Sequence, residues 1–168
     1  LAAAAVALWC GVPLERVAAA LAVTEGSPWR MEVHHVAGGP ALVVDCFNAM
    51  PTSTEAALRS LAALPGGRKL ALLGLMAELG EQSEAEHRRI ARVADQLGIE
   101  LVGYETGLYG GSCVTGVEEA VALLRTTGRG DAALVKGSRV ARLEAVVRAY
   151  GEAAGAPSLL AATAARGR

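Results

Sequence analysis

From residue 41 onward, apolar positions follow two alternating patterns: short unbroken runs, then stripes at helical spacing. The runs 41–45 "ALVVD", "KLALLG", "IELVGY" and "DAALVK" predict strands. Leu58, Leu61 and Leu64 predict a helix ending at "PGG", and Ile90, Val93, Ala94 and Leu97 one closed by Gly98. Val117, Ala120, Val121 and Leu124 predict a third helix, and Leu143, Val146, Val147 and Tyr150 a fourth. Thr52 with Glu55, and Ser83 with Glu86, have capping-box spacing. Upstream, residues 31–36 "MEVHHV" and the 41–45 run flank "AGGP", a hairpin-type turn. Residues 1–10 read as a helix end closed by Gly11. Pro13 opens a second helix striped by Leu14, Val17, Ala18 and Leu21.

Strands that read as continuous apolar runs are covered on both faces, and strict strand–helix alternation makes the sheet mostly parallel. The expected class is α/β: a Rossmann-like, mostly parallel sheet with helices on both faces and an N-terminal β-hairpin, preceded by a short helical segment. The "TEGSPW" stretch breaks the pattern and divides a helical segment, 1–26, from an α/β domain, 27–150. The Ala/Gly-rich tail 151–168 reads as a linker or frayed end.

Composition narrows the chemistry. Of 168 residues, 52% are hydrophobic but only 4% aromatic, so the core is aliphatic. Sixteen Lys and Arg against 17 Asp and Glu leave a net charge of −1, which gives no reason to expect nucleic acid or an acidic membrane as partner. Cys10, Cys46 and Cys113 are odd in number, widely spaced and lack a CxxC, so reduced thiols in the cytoplasm are expected rather than disulfides or zinc. His34 and His35 point to opposite faces of their strand, and with His87 distant they read as surface histidines; no metal site is expected. The opening "LAAAAVALWCG" is too short to span a membrane and lacks the basic flank of a signal peptide. A chain beginning at Leu1 reads as a piece of something longer.

In sheets of this kind ligands collect at the carboxyl ends of strands. Three stretches lie there: "VVDCFNAMP", "LLGLMAELGE" and "ALVKGSR". In the last, Gly137 would let backbone approach a ligand, and Lys136 and Arg139 add positive charge, so a carboxylate or phosphate cradle fits. A plain loop capped by Ser138 fits equally. Glu78 and Glu81 suit a ligand amine or metal, or serve as acids near a helix start. There is no GxxxxGK[ST] and no GxGxxG after a strand, and no Ser/His/Asp set assembles.

Taken in order, Arg30-Met31-Glu32, "VVDCFNAMPTS", "LLGLMAELGEQSEAEH" and "LVKGSR" with Leu143-Glu144 resemble the carboxyl-terminal part of the Mur ligases, across roughly residues 1–150. The likeness is strongest to the branch that adds D-Ala-D-Ala to a UDP-N-acetylmuramoyl tripeptide. It implies an ATP- and Mg²⁺-dependent amide ligase of peptidoglycan synthesis, and so of cell-wall biogenesis, cell shape and division, working in the cytoplasm through an acyl phosphate. It also implies upstream N-terminal and central domains as partners, the central one carrying the P-loop and the Mg²⁺ site. On this likeness Arg30, Asp45 and Asn48 contact the nucleotide, while Lys136, Ser138, Arg139 and Glu78 hold the dipeptide amine substrate. No catalytic residue falls in this part, and the chain alone is expected to be inactive.

The chain departs from the family pattern at several places. Val44 stands for an acid, Cys46 for a small hydroxyl residue, Phe47 for tyrosine, Met50 for asparagine and Leu75 for aspartate. Trp29 takes a glycine-like position, and "YETGLYGGSC" is shorter than usual. Two other readings stand beside the first. One is a related ligase of the folylpolyglutamate or cyanophycin type. The other is a non-catalytic α/β interaction module, marked by an exposed apolar patch of Phe47, Met50 and Leu75.

Overall fold

The computed structural model describes residues 2–24, 27 and 29–159. Two short helices come first, α1 (Ala2–Trp9) and α2 (Leu14–Ala22). Then follow β1 (Glu32–His35), β2 (Ala41–Asp45), α3 (Pro51–Ala63), β3 (Lys69–Leu73), α4 (Ser83–Gln96), β4 (Glu100–Tyr104), β5 (Cys113–Val114), α5 (Gly116–Leu124), β6 (Ala132–Lys136) and α6 (Leu143–Ala153). The six strands form one sheet in the order β1-β2-β6-β3-β4-β5. β1 pairs with β2 antiparallel, and every other pair is parallel. The expected class and the hairpin are therefore found.

Side-chain alternation along the strands builds two aliphatic layers. Leu42, Val44, Leu70, Leu72, Ala133 and Val135 face α5 and α6. Val43, Ala71, Leu73, Ala132 and Leu134 face α3 and α4, meeting Leu58, Leu61 and Ile90. Each leucine taken fully from water contributes roughly 1.5–3 kcal/mol. By the same alternation, Asp45 and Lys136 at the strand ends lie on the α3 side.

Several local expectations change. Neither capping box forms. Met50 precedes α3, and the Ser53 hydroxyl, not Glu55, accepts the Met50 N–H at 3.1 Å. Glu55 instead ties α3 to α4 through Arg89, at 2.7 Å. A 3-10 turn, Gly80–Gln82, leads into α4, so Ser83 is already helical and Glu86 pairs with Arg89 at 2.9 Å. The "YETGLYGGSC" stretch supplies the short edge strand β5, held by Gly103 N–H to Ser112 O and Glu105 N–H to Val114 O. The tail is no frayed end as far as Leu159: α6 runs to Ala153, and Ala156 and Leu159 are buried in the α5–α6 layer. Residues 160–168 lie outside the described residues, as do three of the "TEGSPW" boundary. α1 buries none of its residues and α2 only Val17. Among the described residues no helix is long and apolar enough to cross a membrane.

Candidate functional site

The chain leaves β2 and β3 toward α3 and α4 on one face, and leaves β6 toward α6 on the other. β2 and β6 are neighbours, so their outgoing loops diverge and a crevice opens between them at their carboxyl ends. That is the switch point at which open α/β sheets bind ligands.

Asp45 and Lys136 are register partners there. The buried Lys136 ammonium donates to Asp45 Oδ2 at 2.6 Å and to the Asn48 carbonyl at 2.8 Å. Around them is a cleft of about 610 Å³ lined by Arg30, Asp45, Asn48, Ser53 and Lys136, among others. The Asn48 side-chain oxygen accepts the Ala49 N–H at 2.9 Å, which leaves its NH₂ free to donate. At the rim, the Arg30 guanidinium lies 4.0 Å from the centre of the Phe47 ring.

The structure divides the residues expected to hold the amine. Lys136 does not join Arg139. It shares the cleft of Arg30, Asp45 and Asn48, because its strand position faces α3 and its length carries the ammonium onto Asp45. Ser138 is buried and internally engaged: its hydroxyl accepts the Ala77 N–H at 3.0 Å and donates to the Ala49 carbonyl at 3.3 Å. It ties three strand-end loops together. Gly137 admits protein, not ligand, since a Cβ there would fall 2.7 Å from Leu143 Cδ1 and 3.2 Å from Gly74 Cα. Arg139 is exposed, with its guanidinium 5.1 Å from the Trp29 ring centre and 5.8 Å from that of Phe47. Glu78 is exposed in the 74–79 loop with φ of +66°. The apolar patch of the interaction-module reading is broken up. Phe47 and Met50 are each 38% exposed, but Phe47 carries Arg30 on its ring and Leu75 is half-buried.

His87 is a further correction. It is fully buried, not a surface residue. The Met76 N–H donates to its Nε2 at 2.9 Å, so the ring proton sits on Nδ1 and is donated to the Ser83 carbonyl at 2.6 Å. The buried Tyr109 ring packs edge-on at 4.9 Å, and its hydroxyl donates to the Gly74 carbonyl at 2.8 Å. This pair fixes the loop that carries Glu78. Both residues were invisible as site-builders in the sequence; the one available signal was the helical i, i+4 spacing of Ser83 and His87. Cys46 is buried, and that burial, followed by the charge of Glu144, pushes its thiol up to about 12. Among the described residues, no three His, Cys, Asp or Glu side chains gather so as to hold a metal ion.

Known proteins resemble this chain in sequence and in fold. The chain is 39% identical over 89% of its length to a UDP-N-acetylmuramoyl-tripeptide--D-alanyl-D-alanine ligase of Mycobacterium bovis, of which the match covers 36%. It thus spans about a third of the length of that relative. A crystal structure of MurF from Acinetobacter baumannii superposes with a TM-score of 0.75 at 28% identity, covering 90% of this chain and 36% of that one. MurF ligase from Thermotoga maritima, solved in complex with ADP, gives 0.69 at 26% identity, covering 79% and 32%. The profile of the Mur ligase, glutamate ligase domain matches residues 29–139, which is most of the chain, and the chain belongs to that family.

Proposed function

We propose that this chain is the carboxyl-terminal third of an ATP-dependent ligase that adds D-Ala-D-Ala to a UDP-N-acetylmuramoyl tripeptide. One observation carries the reading: the crevice at the β2–β6 switch point gathers Arg30, Asp45 and Asn48 in one cleft, in a chain related to ligases of that name.

The groups suit a nucleoside. Asp45 Oδ1 is open to accept from a ribose hydroxyl, and the Asn48 NH₂ donates to an acceptor nitrogen of the base. Arg30, lying over the Phe47 ring, reaches toward the ribose or phosphates. On the loop that follows β6, Arg139 takes the carboxylate of the incoming dipeptide by a charge-assisted hydrogen bond, and Glu78 receives its ammonium. ATP would supply the phosphoryl group that turns the tripeptide carboxylate into an acyl phosphate, with ADP released. The dipeptide nitrogen, once its ammonium has lost a proton to water, would attack that carbonyl, and the amide would form as inorganic phosphate leaves. The residues present fit adenosine but not the β- and γ-phosphates or Mg²⁺: the chain has no GxxxxGK[ST]. Those fall to upstream domains, of which residues 1–26 are the closing helices; the third domain starts at 27. We set the reaction in the cytoplasm, where ATP and reduced thiols are found. Closure of the third domain over the nucleotide would exclude water from the acyl phosphate.

A ligase carrying this chain as its carboxyl-terminal third tests the reading. Phosphate release should require both the UDP-N-acetylmuramoyl tripeptide and D-Ala-D-Ala. Release driven by glutamate or another amino acid in place of the dipeptide would overturn it in favour of the folylpolyglutamate or cyanophycin type.

A further inference from the structure

We infer that Lys136 is a ligand-contacting residue of the nucleoside cleft, where it and Asp45 together read a vicinal diol. The inference rests on the nucleoside reading above and adds a residue to it.

An ammonium has three N–H donors. Asp45 Oδ2 takes one at 2.6 Å and the Asn48 carbonyl takes a second at 2.8 Å. Lys136 is 2% exposed, and the surface it keeps lines the cleft shared with Arg30, Asp45 and Asn48. Its third N–H is therefore the one left for a ligand. Beside it, among the described residues, Asp45 Oδ1 carries no hydrogen bond. The floor of the cleft thus presents a donor and an acceptor side by side.

Charge decides which ligand fits. A carboxylate or phosphate placed on Lys136 would also meet the Asp45 carboxylate, and the ion pair has no net charge to offer it. A hydroxyl suits the pair because it both donates and accepts. Two adjacent hydroxyls suit it best: one donates to Asp45 Oδ1 while an oxygen lone pair receives the Lys136 N–H. A ribose with free 2′ and 3′ hydroxyls has this pattern, and a dipeptide carboxylate does not. The backbone makes the pair rigid, since both residues end neighbouring strands in register.

The test is nuclear magnetic resonance of the ¹⁵N-labelled chain, following the Lys136 Nζ signal. Burial slows exchange of its protons, and Lys136→Arg assigns it by removing it. The probes are adenosine, 2′,3′-dideoxyadenosine and D-Ala-D-Ala, each at millimolar concentration. Adenosine should move the Nζ signal together with the Asn48 and Ser53 amides. Dideoxyadenosine should bind at least about tenfold more weakly, since a site built for hydroxyls is left with unpaired groups, and should leave Nζ in place. The dipeptide should not move Nζ. A residue that only props up Asp45 would not distinguish the two nucleosides at its own nitrogen. Adenosine moving the amides but not Nζ, equal Nζ shifts with both nucleosides, or a shift with the dipeptide would each overturn the inference and leave the nucleoside reading standing. If adenosine moves none of the cleft amides, the nucleoside reading falls and takes this inference with it.

Discussion

Replacing Lys136 with methionine should destabilise the fold far more than its volume change suggests. The side chain is 2% exposed and its partner Asp45 8%, so the pair is largely out of water. Methionine fills nearly the same space, and the packing cost is below about 1.5 kcal/mol. The larger effect is on the partner: Asp45 keeps its charge in a buried position and loses the ammonium at 2.6 Å. Breaking a buried pair from one side typically costs about 3–5 kcal/mol. The cleft lets some water reach Asp45, which puts the expected loss near 3 kcal/mol, at the lower end of that range. The Asn48 carbonyl also loses a donor, but it is partly exposed and water can replace it. Adding Asp45→Leu to Lys136→Met removes the stranded charge. The double variant should return to within about 1–2 kcal/mol of the parent, because replacing both ions with apolar groups is often neutral. It should nonetheless lose adenosine binding. Urea unfolding at constant m-value, read as a double-mutant cycle, measures all three free energies. A loss under about 1 kcal/mol for Lys136→Met, or a double variant no more stable than Lys136→Met alone, would refute the reasoning.

His87→Ala should cost about 3 kcal/mol in the same urea assay, because it leaves the Met76 N–H unpaired and opens a cavity against Tyr109; a loss below about 1 kcal/mol would contradict the assigned role. Of the three thiols, Cys10 and Cys113 are exposed and should react quickly with a thiol reagent near neutral pH, whereas Cys46 should react only on unfolding; three fast thiols would count against its burial. The Cys46 pKa is raised to about 12 from an ordinary 9.0, so the unfolded chain gives up this proton first. The stability that Cys46 contributes should be complete below the unfolded value and lost as pH rises toward the folded one, seen as a declining urea midpoint. In a ligase carrying this chain, Arg139→Ala should lower kcat/KM for the amine substrate by roughly one to three decades and barely change KM for ATP; Asp45→Ala should do the reverse, and equal damage to both would dissolve the two sub-sites. The chain alone should release no phosphate from ATP with Mg²⁺ and both peptide substrates present; steady release would refute the assignment of the phosphate site to an upstream domain.

Much of the fold was legible because it is periodic. Strand and helix stripes repeat along the chain, and a stripe is a local property that needs no knowledge of the partner. Thr52–Glu55 and Ser83–Glu86 have capping-box spacing, yet the chain enters each helix at a different residue. Pro51 opens α3, and a 3-10 turn has already begun the approach to α4. The tail as far as Leu159 departs from its linker-like composition because Ala156 and Leu159 are enough to bury it against the α5–α6 layer. β5 was missed because two residues in a glycine-rich stretch carry no periodic signal. The resemblance singles out Asp45, Asn48 and Arg30, and all three line one cleft. The resemblance groups Lys136 with Arg139 as holders of the dipeptide. The actual partner of Lys136 is 91 residues away. That pairing depends on β6 lying between β2 and β3, and strand order is not written in the periodicity of any one strand.

The central position of β6 also explains why "KGSR" holds four chemically different residues in a row. A loop leaving the middle of the sheet touches the loops of both neighbours, and each position meets a different one. Lys136 faces the β2 side and meets a carboxylate and a carbonyl, so it must be a long donor. Gly137 faces the β3 side and meets Gly74, with no room for a Cβ on either residue. Ser138 lies between the two loops and must both donate and accept, which a hydroxyl does within one small group. Arg139 is the first to reach the surface and rests against Trp29 and Phe47. Substitutions along these four residues should therefore fail in four different ways: a stranded charge, a steric clash, an unpaired amide and a lost surface cation. Read as a plain basic loop before a helix, the same stretch would give four mild and similar effects.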